Sequence, residues 1–121
     1  MEIIVSKSEN WDLVTLEGTI AGAEIGTLEE LLQRFSTIGR YNIILDLAKV
    51  RYIGSAGLSM LIRYTSTFRR WERGDLHLAA PPKTILNLLQ VAGLIGENHS
   101  HFSIYSTVDA AKEAAQKRAS Q

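Results

Sequence analysis

The chain has 121 residues, 45% of them hydrophobic and 21% charged, which suits one domain with a core that needs no cross-links. It lacks cysteine, which excludes a disulfide framework, a zinc–thiolate site and a thiol nucleophile. Lys+Arg and Asp+Glu are equal at 13 each, which argues against a nucleic-acid binder. No apolar run approaches the ~20 residues of a membrane helix, and the opening MEIIVSKSEN is no signal peptide. The expectation is therefore one cytoplasmic domain over residues 1–121, without membrane insertion.

In chain order, Ile3-Ile4-Val5 and residues 13–20 read as an antiparallel hairpin across the polar turn Ser8-Glu9-Asn10. Val14, Leu16 and Gly18 share one face of the second strand. Ile25, Leu28, Leu31, Leu32 and Phe35 then fall at helical spacing over residues 23–38, with Glu24, Glu29 and Glu30 early and Gly39 as the stop. Residues 41–47 read as a strand. After the stretch 50–58, a helix to about residue 71 places Leu58, Leu61, Ile62, Thr65 and Phe68 inward. Residues 75–80 form a strand. Pro82 opens a short helix with Ile85, Leu86, Leu88 and Leu89 buried. Residues 101–105 are the last strand, and Thr107 caps a final helix.

Strands alternate with helices after the hairpin, which predicts an α/β fold with a mostly parallel five-stranded sheet. Alternating strands place helices mainly on one face, and crossovers that always step the same way give the order 1-2-3-4-5 with strand 1 antiparallel.

The chemistry is sparse. There is no dinucleotide fingerprint, P-loop, nucleophile elbow or zincin motif. His99 and His101 are one residue apart but lack an obvious third metal ligand, and His77 sits on a strand's polar face without partners in sequence. The segment Gly54-Ser55-Ala56-Gly57 stands apart. Ser55 is placed as an N-cap, small neighbours leave its hydroxyl accessible, and a phosphate there would sit on a helix N-terminus. The same residues also suit a well-capped helix and nothing more. Beyond them Ser59, Arg63, Ser66, Arg70 and Arg73 lie along one helix face, either a partner surface or a solvated one. Tyr64, Trp71 and Trp11 read either as interface anchors or as partial core. Residues 1–30 hold seven acids and one base, and residues 31–73 eight bases and two acids. Such segregation can orient a partner or be plain surface charge.

At these residues the sequence resembles the STAS domain family, in particular the bacterial anti-sigma factor antagonists. The resemblance rests on Ile43-Ile44-Leu45-Asp46-Leu47, on the run from Val50 through Gly54-Ser55-Ala56-Gly57 to Leu58, on Leu16-Glu17-Gly18, and on Ala80-Pro81-Pro82 with Val91-Ala92-Gly93-Leu94. It implies a non-enzymatic, cofactor-free, phosphorylation-sensitive binding switch acting on sigma-factor-dependent transcription. Ser55 would be the phosphoacceptor. Gly54, Ser55, Ala56, Gly57, Ser59, Arg63, Ser66 and Arg70 would form the partner surface. The implied partners are an anti-sigma factor that is also a GHKL-type serine kinase and a PP2C-type phosphatase. Gly54 and Ala21 stand where family members commonly carry acids. A constitutive STAS adaptor within a transporter or sensor complex is the alternative, and a small-ligand binder at the Ser55 helix start is a third.

Overall fold

The polar Ser8–Asn10 segment reverses the chain, with the Ser8 N–H donating to Trp11 O at 2.9 Å. It joins β1 (Glu2–Lys7) to β2 (Asp12–Ile20) in antiparallel register, Val5 opposite Val14. This computed structural model describes residues 1–96 and 100–121. The period then changes from two to 3.6, and α1 (Ala23–Thr37) buries Leu28, Leu32 and Phe35. Gly39 ends that helix with φ 80°, a left-handed conformation that costs glycine nothing. It lets the Arg40 N–H return to Phe35 O at 2.8 Å.

β3 (Asn42–Ile53) is longer than the sequence implied. Residues 50–53, beyond the strand read over 41–47, pair in parallel with the end of β2, Gly18 with Val50 and Ile20 with Ile53. The register slips between Thr15 and Glu17 and again between Gly18 and Thr19. Extra β3 residues at each slip break the alternation that would have announced a strand. Asp46 lies at the first slip and accepts the Ala48 N–H at 3.1 Å.

α2 (Ser55–Arg69) ends two residues earlier than expected. It buries Leu58, Leu61, Thr65 and Phe68 as read, together with Met60 and Tyr64, while Ile62 is only partly buried. β4 (Asp75–Ala79) is buried throughout and stops before Ala80, which has φ 52°. α3 (Lys83–Val91) takes Pro82 as its N-cap rather than its first residue. β5 (Ser103–Tyr105) is shorter than residues 101–105, and α4 (Val108–Ala119) carries the expected cap, Thr107 Oγ1 accepting the Ala110 N–H at 3.0 Å.

The sheet order is β1-β2-β3-β4-β5, with β1 alone antiparallel. α1, α2 and α3 share one core with Val14, Leu16, Leu45 and Leu78. α4 alone covers the other face, where Ala111 and Ala115 pack on Ile44 and Ala79. His77, read as inert on a polar face, is buried beneath this helix. No helix among the described residues is long and apolar enough to cross a membrane.

Leu61 is fully buried against the sheet, so Leu61→Ala should lower stability by about 2–5 kcal/mol in denaturant unfolding. A loss under about 1 kcal/mol would contradict this packing.

Candidate functional site

The β3–α2 junction is one residue long. Ile53 ends the strand, Gly54 turns, and Ser55 is already the first helical residue. Ser55 is therefore not the N-cap. Gly54 holds that position with φ −74° and ψ 167°, and no side chain caps the helix. The Ser55 side chain is exposed and makes no hydrogen bond among the described residues, so its hydroxyl is free to react. At the first helical position it lies beside unsatisfied backbone N–H groups and the positive end of the helix dipole, where added negative charge is stabilised.

Two contacts fix this junction. The Gly54 N–H donates to Ile20 O at 3.0 Å, tying α2's start to the end of β2. Gly57 lies so close to β2 that a Cβ there would meet Ile20 O at 2.8 Å and the Ile20 and Ile53 side chains at 3.0 and 3.1 Å. Position 57 therefore requires glycine for close approach and is itself buried, whereas Ala56 is exposed. Gly54 is different. Its backbone is extended, open to any residue, and a Cβ there would make ordinary contacts with Ala21 Cβ at 3.4 Å and the Tyr52 ring at 3.9 Å. Ala21 and Gly54, far apart in sequence, are thus neighbours beside Ser55. Neither supplies a carboxylate.

The face of α2 beyond Ser55 is exposed at Ser59, Arg63, Ser66 and Arg70, as read from spacing. Arg63 is not a free charge: Nη2 pairs with Glu29 Oε2 of α1 at 2.5 Å, and the guanidinium lies over the Tyr64 ring. Arg70 makes no ion pair among the described residues. Tyr64 is core, its hydroxyl 3.0 Å from Gln33 Oε1. Burial, reinforced by Glu29, pushes its pKa above the ordinary 10.0. Trp71 stacks on Tyr41 at 4.8 Å, remote from Ser55 in sequence and on the loop after α2. Trp11 packs under α4.

Sequence reasoning missed a groove beside the junction, lined by Arg51, Tyr52, Thr84, Asn87, Leu88 and Val91. Tyr52 is 52% exposed and Val91 88%. Only the approach of α3 to the end of β3 places them together on the surface. His99 lies outside the described residues, and His101 is exposed with its carbonyl accepting from Arg69 at 3.1 Å. No cluster of potential metal ligands occurs among the described residues.

The two glycines should respond oppositely. Gly57→Ala should destabilise by about 1–3 kcal/mol through overpacking against β2. Gly54→Asp should leave stability unchanged or raise it by a few tenths of a kcal/mol, since Asp is a better N-cap than Gly. Thermal and denaturant unfolding of both variants check this, and equal losses would refute the difference in backbone environment.

The sequence model of the STAS domain family matches residues 2–111. No curated protein matches the chain significantly in sequence. Among solved structures, an anti-sigma factor antagonist from Mycobacterium paratuberculosis is similar with TM-score 0.77 at 21% identity, over 95% of this chain and 93% of that one. The phosphorylated form of the Bacillus cell fate determinant SpoIIAA is similar with TM-score 0.69 at 14% identity, over 93% and 98%. A murine Solute Carrier 26 family anion transporter is similar with TM-score 0.72 at 15% identity, over 93% of this chain but 18% of the transporter. At these identities the structural likenesses speak to fold, and the family match covers most of the chain: it belongs to the STAS domain family.

Proposed function

We propose that this chain is an anti-sigma factor antagonist working as a phosphorylation-sensitive binding switch. The observation that carries the reading is the exposed, unbonded Ser55 hydroxyl at the first residue of α2, flanked by an exposed helix face. In the unmodified state Gly54, Ser55 and Ala56, with Ser59, Arg63, Ser66 and Arg70, meet an anti-sigma factor that is also a GHKL-type serine kinase; Gly57, read from the sequence as part of that surface, is buried against β2 and holds the junction instead. Sequestering that protein releases its sigma factor and so regulates transcription. The kinase transfers the γ-phosphoryl group of ATP to Ser55 Oγ, ADP leaves, and the hydroxyl proton is lost. The phosphate brings about −1.5 to −2 charge to a desolvated interface, where it disfavours binding. A PP2C-type phosphatase hydrolyses the ester and resets the protein. The chain acts by binding, not by catalysis.

The existence of SpoIIAA in a phosphorylated form on this fold supports the reading. One observation favours the alternative of a constitutive adaptor. Ala21 and Gly54 touch beside Ser55, so the phosphoacceptor has no carboxylate next to it to orient the hydroxyl or a kinase metal.

Intact-mass analysis after incubation with the cognate kinase and ATP should show one added phosphate, absent in Ser55→Ala. Since Ser55 makes no capping bond, Ser55→Ala should fold within about 0.5 kcal/mol of wild type and bind the partner constitutively. If phosphorylated wild type binds as tightly as Ser55→Ala, the switch fails and the adaptor reading replaces it. On the helix face, Arg70→Glu should weaken partner binding with an unchanged melting temperature, because an exposed unpaired charge contributes little to stability. Arg63→Glu should weaken binding and also cost up to about 1 kcal/mol, because it sets a second carboxylate against Glu29. Titration calorimetry with unaltered affinity in both variants would move the interface off this face.

A further inference from the structure

β3 and β4 carry a polar pair into the apolar second face of the sheet. His77 is 2% exposed and Asn42 7%, and His77 Nε2 lies 2.7 Å from Asn42 Oδ1. Asn42 Nδ2 donates to two carbonyl oxygens: Asn10 in the β1–β2 turn at 2.9 Å and Ala115 within α4 at 2.8 Å. Both carbonyls only accept, so the amide NH2 must face them and the amide oxygen must face the imidazole. That oxygen cannot donate, so Nε2 carries the ring hydrogen. Nδ1 is left buried with no hydrogen-bond partner among the described residues. In the neutral ring this is an idle lone pair. In the charged ring it is an N–H without an acceptor on a cation removed from water, which is strongly unfavourable.

The surroundings do not relieve that penalty. Asp75, on the same strand, favours the cation, but its carboxylate already binds Arg69 Nε and Ser103 Oγ, each at 2.7 Å, and the Leu76 N–H at 2.8 Å. Arg69 from α2 and Arg118 from α4 oppose the cation. From β5 the Tyr105 ring packs 5.8 Å from the imidazole, and burial pushes the phenol's pKa up, so it stays neutral. Desolvation dominates and lowers the His77 pKa below the ordinary 6.5.

α4 is the element able to respond. It meets the sheet through small side chains, Ala111 and Ala115, with Val108 at one end. It follows the last strand, so it can lift without unpairing the sheet. Its polar anchors include the Asn42–Ala115 bond, Arg118 Nε to Gly74 O at 3.0 Å, Asn10 Nδ2 to Gln116 Oε1 at 3.2 Å, Lys112 Nζ over the Trp11 ring at 5.6 Å and, just past the helix, Arg73 Nε to Gln121 O at 2.7 Å. The first and third of these depend on Asn42 or on the turn it holds.

We infer that the His77–Asn42 pair is a proton-operated latch on α4. Neutral His77 keeps the Asn42 amide on the Ala115 carbonyl and the helix seated. Protonation of the buried ring lifts α4 and uncovers Ile44, Ala79 and the flanking Trp11 and Tyr105 side chains. The sign follows from linkage. The seated state disfavours the proton and the lifted state takes it at the ordinary affinity. Docking is therefore fully stable above 6.5 and weakens as pH falls from there towards the depressed native value.

The test is amide hydrogen exchange of the whole protein at about pH 7.5 and about pH 5.5, corrected for intrinsic rates, with an NMR titration of the His77 ring. At the lower pH, one unit below the ordinary value, the opening equilibrium of α4 should rise, by at most about tenfold, while α2 amides keep their protection. His77→Gln keeps an N–H donor for Asn42 but cannot titrate, so α4 should stay equally protected at both pH values. Unchanged α4 protection in wild type, or a pH-dependent rise of the same size in His77→Gln, overturns the latch. So does a His77 ring that charges at its ordinary value with α4 still protected, a result read on wild type alone whether or not the variant folds.

Discussion

The close approach of Gly57 to the end of β2 is the constraint on which the site depends. A helix entering directly from a strand needs its first turn pressed against the neighbouring strand, and here only the missing side chain at position 57 allows it. The bond from the Gly54 N–H to Ile20 O pins the junction from the other side. Between these two points Ser55 has no freedom of position, yet its hydroxyl touches nothing. The same contact sets the axis of α2, and so the face on which Ser59, Arg63, Ser66 and Arg70 emerge.

The two faces of the sheet are built on different terms. Beneath α1, α2 and α3, large aliphatic and aromatic side chains interlock, Leu28, Leu32, Leu61 and Phe68 among them. That burial supplies most of the hydrophobic driving force. Beneath α4 the contacts are alanines and a polar network whose satisfaction is incomplete at one atom, His77 Nδ1. Buried polar groups raise the stakes of any change in protonation, so the second face is where the fold is sensitive and the first is where it is strong.

Folding pairs part of the segregated charge of the sequence. Asp12 from the acidic first segment pairs with Arg40 at 2.7 Å, and Glu29 pairs with Arg63. Arg40 also donates to the Ser8 and Trp11 carbonyls at 2.6 and 3.2 Å, so it organises the hairpin turn as well as neutralising an acid. Arg70 on the α2 face is in no ion pair among the described residues.

The sequence by itself determined the element order, the antiparallel first strand and the helix faces, because these follow from local periodicity and from turn residues such as Gly39 and Thr107. It also singled out Gly54-Ser55-Ala56-Gly57, since small residues at a helix start are a local signal. It did not show that β3 continues to Ile53, because the register slips that accommodate the extra residues depend on the pairing with β2. It assigned Ser55 the capping role that Gly54 holds, because a shift of one residue at a helix end is decided by backbone geometry and not by propensity. The meeting of Ala21 with Gly54, the pairing of Arg63 with Glu29 and the burial of His77 under α4 all join residues distant in the chain. Only tertiary packing decided them, because no local pattern records which face of a strand a later helix will cover.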